Sequence, residues 1–114
     1  MSTAQEALAN RLRESFADRE TREVKMFGGI SFMLEGKMVC AAGRDGDLLL
    51  RIDPEDYPTL ITRPGAQEPV MGTDRSMAPG WIQVAATHLR TAKQLQSWVQ
   101  IGLDHHRALV GGAG

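Results

Sequence analysis

The sequence predicts an α+β domain built on a single antiparallel sheet, and three observations predict it. Apolar residues recur about every four positions towards both ends of the chain, as on a helix, whereas between residues 23 and 52 the period falls to two, as on a strand. Glu35-Gly36 and Gly43-Arg44-Asp45-Gly46 interrupt that central stretch where hairpin turns are needed. With 114 residues, 42% of them hydrophobic and 24% charged, the chain has the size and composition of one globular domain that folds without disulfides or metal.

Thr3-x-x-Glu6 has the form of a capping box, so a helix starts there. Ala4, Leu8, Leu12 and Phe16, with Ala7 beside them, form its apolar stripe, and Arg11, Arg13 and Glu14 point elsewhere. A short strand over residues 24–27 follows, broken by Gly28-Gly29 from a second strand over residues 30–34. A two-residue loop at Glu35-Gly36 pairs Leu34 with Lys37, Phe32 with Val39 and Ile30 with Ala41. The next turn contains Asp45-Gly46, and a two-residue or a four-residue loop there leaves the faces unchanged.

This register places Ile30, Phe32, Leu34, Val39, Ala41, Leu48, Leu50 and Ile52 on one face, which is the expected core. The opposite face carries Ser31, Met33, Met38, Cys40, Leu49 and Arg51, more apolar than a face meant only for water. Asp53-Pro54 then opens a short helix, with Asp53 as its cap, that ends before Arg63-Pro64-Gly65. Residues 68–71 read as a strand, Gly72 to Gly80 as a polar loop, and Trp81 to Ala85 as a further strand. Thr91-x-x-Gln94 repeats the capping box and starts a closing helix whose buried side is Leu95, Trp98, Val99, Gly102, Leu103, His106 and Leu109. The domain core spans about residues 3–109, with residues 110–114 a flexible tail.

Thirteen Lys and Arg against fourteen Asp and Glu give a net charge of −1, and the basic residues between Arg11 and Lys25 alternate with acids. Direct nucleic-acid binding is therefore not expected, because it needs an excess of positive charge on one face. A single cysteine cannot form an internal disulfide, no apolar run approaches the roughly 18 residues of a membrane span, and the charged N-terminus is unlike a secretory signal. The expected compartment is the cytoplasm.

Potential reaction centres dissolve on inspection. Gly28-Gly29 lacks the helix start and Lys-Ser/Thr of a phosphate loop and reads as a backbone bend. Cys40 with His88, His105 or His106 lacks ligand-like spacing, and a thiol in mid-strand behaves as a small apolar group. Asp53, Glu55 and Asp56 are explained by capping at a helix start. Trp98 belongs to the core, with Gly102 permitting close approach of helix and sheet. Arg51, on a half-apolar face, calls for a carboxylate or other partner, and Trp81 beside the Gly72 to Gly80 loop is a candidate interface anchor.

The succession of Met26-Phe27-Gly28-Gly29, the Glu35-Gly36 hairpin, Leu48-Leu49-Leu50-Arg51-Ile52-Asp53, Arg75-Ser76-Met77 ahead of Trp81, and Leu95-x-x-Trp98-Val99 resembles the TfoX N-terminal domain family. The resemblance covers roughly residues 8 to 109. It implies a two-layer α+β fold similar to type III secretion chaperones. From the bacterial TfoX or Sxy proteins, which act with the cyclic-AMP receptor protein in natural competence, it implies a transcriptional co-regulator working through protein contacts. Those longer members carry a C-terminal domain that these residues lack, so a stand-alone member is expected.

The resulting expectation is a non-enzymatic protein-interaction module that needs no cofactor or metal and pairs with itself or with another protein. Its candidate surface is Met33, Met38, Cys40, Leu49, Arg51 and Trp81. The alternative is a small ligand-binding protein or enzyme using a pocket near the 72–80 loop.

Overall fold

Thr3 starts the first helix as its motif requires: its Oγ1 accepts the Glu6 amide at 3.1 Å. The computed structural model describes residues 3–26, 28–71, 75–76 and 80–111. In chain order it contains α1 (Ala4–Ser15), β1 (Thr21–Met26), β2 (Gly29–Leu34), β3 (Lys37–Ala42), β4 (Leu48–Arg51), α2 (Tyr57–Leu60), β5 (Ala66–Gln67), β6 (Val70–Met71), β7 (Arg75–Ser76), β8 (Trp81–Val84) and α3 (Ala92–Gly111). Six strands make one antiparallel sheet in the order β1-β2-β3-β4-β8-β5, and β6 pairs with β7 in a separate ribbon. The α+β fold expected from the sequence is thus present.

The helices all feed one core. Leu8, Leu12 and Phe16 of the first helical segment, Leu60 of α2, and Leu95, Trp98, Val99 and Leu103 of α3 join Phe32, Leu48, Leu50, Ile82 and Val84 of the sheet in a single buried cluster. Phe16 and Phe32 meet with ring centroids 5.8 Å apart. Each such fully buried large side chain favours the fold by about 1.5–3 kcal/mol over leaving it in water. The α1 stripe is turned slightly from the expected one, because Ala9 is buried and Ala7 is exposed.

Polar side chains fasten the layers at one end of the sheet. Gln5 Nε2 donates to the carbonyls of Gly28 (2.7 Å) and Ala42 (3.1 Å), tying α1 to the β1–β2 turn and to the end of β3. Asp47 accepts from Gln83 Nε2 (2.8 Å) and from the Ala86 amide (3.0 Å), tying the β3–β4 turn to the end of β8. On the outside, Arg13 grips Glu23 of β1 with two hydrogen bonds of 2.6 and 2.7 Å. The Arg13 bond holds the Glu23 carboxyl below its ordinary range, but the pair is too exposed to add more than about 1 kcal/mol.

Five local expectations are corrected. The first strand runs Thr21–Met26 and pairs Met26 with Gly29, so Gly28, at φ 79°, lies in a tight hairpin connection and Gly29 already belongs to β2. Residues 68–71 are not one strand: Ala66–Gln67 joins the main sheet, Val70–Met71 joins the ribbon, and buried Pro69 between them has no amide hydrogen with which to continue a ladder. Helix α3 runs on through Val110 and Gly111, and Leu109 is 37% exposed instead of buried. Within the 72–80 loop, residues 75–76 form β7, and positions 72–74 and 77–79 lie outside the described residues.

The fifth correction concerns β3. The Glu35-Gly36 turn has positive φ at both residues (52° and 82°), and Leu34 pairs with Lys37 and Met33 with Met38. Past a bulge, Phe32 pairs with Cys40, Ser31 with Ala41 and Ile30 with Ala42, one residue off the expected register. The β3–β4 loop also departs by one residue, holding three residues between Gly43 and Asp47 with Gly46 at φ 84°. The two irregularities compensate. Strands β2 and β4 keep their expected faces, while within β3 Cys40 and Ala42 turn into the core and Ala41 turns out.

Candidate functional site

The second sheet face is built row by row from the strand register. Val24, Ser31, Ala41, Leu49 and Gln83 succeed one another across five strands. Beside them run Arg22, Met33 and Met38 on the first three strands and Arg51 with Trp81 on β4 and β8. Ser31 and Ala41 are almost fully buried, at 1% and 5% exposure, although the helices contribute to the core on the other side. Val24, Met33, Met38, Leu49, Arg51, Trp81 and Gln83 around them are half-buried. The result is a low floor of small side chains walled by long, mostly apolar ones.

Among the described residues Arg51 has an aromatic ring, not a carboxylate, as its partner. It pairs directly with Trp81 in register, and its guanidinium carbon lies 5.8 Å from the ring centroid. A cation held over an aromatic face contributes about 0.5–1 kcal/mol at such a half-exposed site. No sequence signal linked these residues, which stand thirty positions apart. Beyond Met33 the face opens into a shallow cleft of about 690 Å³ lined by Arg19, Glu20, Arg22, Val24 and Met33.

Five of the six candidate surface residues therefore share this face, and Cys40 does not. It is fully buried in the core because the bulge shifts its register. Burial raises the thiol pKa far above its ordinary value, so the sulfur is held as a neutral, unreactive apolar group.

The other titratable candidates are scattered. Asp53 caps its turn by accepting the Glu55 amide at 2.9 Å. Asp53 and Asp56 share a cleft of about 290 Å³ with Arg63, Asp104 and His105, a grouping invisible in the sequence. Among the described residues no three His, Cys, Asp or Glu side chains are placed to hold a metal ion, and no helix is long and apolar enough to cross a membrane. Trp98 sits in the core as expected, covered on its outer side by Arg63 at 5.3 Å.

Fold and surface together define a two-layer domain, one sheet face sealed by helices and the other bearing a half-buried apolar band. The chain belongs to the TfoX N-terminal domain family, whose model matches residues 14–106. A crystal structure of a protein from Pseudomonas syringae is similar in fold, with a TM-score of 0.57 and 16% identity over 85% of this chain and 93% of that one. At that identity the likeness concerns the fold alone. No protein of curated function matches the chain.

Proposed function

We propose that this domain is a non-enzymatic protein-interaction module and that its second sheet face pairs with a second copy of the chain. The observation that carries the reading is the walled floor at Ser31 and Ala41. Met33, Met38 and Leu49 supply flexible apolar knobs beside it, and the same face thus offers both projections and a hollow. A two-fold pair needs just such a self-complementary patch. Arg51 and Trp81 at one side match the residue types that anchor interfaces, and methionine adapts its shape to a partner. The role this pairing serves follows the family as transcriptional co-regulation through protein contacts.

Sedimentation of the full chain at micromolar concentration tests the pairing. The expected result is a dimer that Met38→Glu converts to monomer, because a carboxylate in the apolar band is desolvated without a partner. A monomer at all concentrations, or a dimer unchanged by Met38→Glu, refutes this surface.

A further inference from the structure

His106 is the last buried side chain of α3 among those described: Leu103 and His106 are each 8% exposed, whereas Arg107, Ala108 and Leu109 are exposed. Both of its ring nitrogens are shielded from solvent, and among the described residues neither has a hydrogen-bond partner. A buried imidazole ordinarily satisfies at least one nitrogen, so an orphaned ring in this terminal position asks for an explanation. Packing alone would be served better by leucine.

Charges that act on the ring sit on several neighbouring elements. Arg19 follows α1, Glu35 lies in the β2–β3 turn, Lys37 begins β3, and Arg51 acts from the opposite face of β4. On α3 itself Asp104, His105 and Arg107 adjoin it. The opposing elements thus present three cations and one carboxylate, a poor setting for a second positive charge on the ring. Burial is the main force holding its pKa below the ordinary value, Glu35 works against that, and Lys37, Arg19 and Arg51 reinforce it.

We propose that His106 is a proton-operated latch: neutral, it closes the C-terminal turns of α3 onto the sheet, and protonated, it releases them. In the released segment the ring is hydrated and takes its ordinary pKa near 6.5, while the docked ring titrates lower. Between these two values the open form binds more protons than the closed one. Closure is therefore at full strength above about pH 6.5 and weakens as pH falls towards the docked value. A difference of one proton changes the opening equilibrium by up to about tenfold per pH unit. Release uncovers Leu103 and the core-side sheet beneath it, on the face opposite the pairing surface, so the latch stands independently of the proposed dimer.

Amide hydrogen exchange of the full chain, followed by NMR at pH 7.5, 6.5 and 5.5, tests the latch against His106→Leu. Taking the ratio of the two proteins removes the intrinsic pH dependence of exchange. The expected result is that protection over residues 103–109 falls by up to about tenfold between pH 6.5 and 5.5 in the native chain relative to the variant. Equal behaviour of the two proteins overturns the proposal. Should His106→Leu fail to fold, the native imidazole decides: a titration below 6.5 accompanied by loss of protection in this segment upholds the latch. A titration at or above 6.5 removes it.

Discussion

Gly102 lies where α3 comes closest to the sheet, and replacing it by alanine opposes two effects of known size. A Cβ built there falls 2.6 Å from Leu50 Cδ1 and 3.4 Å from both Leu50 Cγ and Val39 Cγ1. Alanine in a helix interior is favoured over glycine by about 1 kcal/mol. Forcing an extra carbon into a well-packed core costs about 1–3 kcal/mol, and Leu50, with 0% exposure, has little freedom to yield. The net expectation for Gly102→Ala is destabilisation of up to about 2 kcal/mol. Leu50→Ala by itself costs about 2–5 kcal/mol through the cavity it leaves. In that background the clash with Leu50 Cδ1 is gone and the added methyl meets only Val39 Cγ1 at an ordinary contact distance, so Gly102→Ala becomes stabilising by about 1 kcal/mol. Urea unfolding of the four proteins reads this change of sign as a coupling between the sites. Stabilisation by Gly102→Ala in the native background, or the same effect in both backgrounds, refutes the packing argument.

Two further outcomes test other parts of the fold. The single thiol, Cys40, is expected to stay inert to a disulfide reagent at pH 8 in the native protein and to react fully in denaturant, whereas rapid native reaction contradicts its place in the core. Thr91 and Gln94 close a reciprocal box, each accepting the other's amide at 3.0 Å, so Thr91→Ala is expected to lower urea stability by about 0.5–2 kcal/mol, with Thr91→Ser restoring most of it.

Much of the architecture was legible because it depends on local stereochemistry. Thr3, Asp53 and Thr91 each begin a helical segment, since a side-chain oxygen can satisfy a free amide whatever packs around it. Positive φ at Glu35 and Gly36 produces a tight turn in the same way. The faces of β2 and β4 were legible too, where Phe32, Leu48 and Leu50 alternate with Met33, Leu49 and Arg51. The candidate surface followed from those faces and from Trp81. Of its six residues, Cys40 alone lies off that face.

That exception has a specific cause. Val39-Cys40-Ala41-Ala42 is apolar without a break, so alternation carries no information about which side chains point inward. The direction is decided by a bulge against β2 and a three-residue loop before β4, and their effects cancel everywhere except in β3. Sequence by itself determined the fold class, the family, the caps and turns, and the existence of a second apolar face. Only the tertiary structure decided that Cys40 is core, that Arg51 rests on Trp81, and that His106 is buried without a partner. These three depend on register and on contacts between distant segments, which no local pattern encodes.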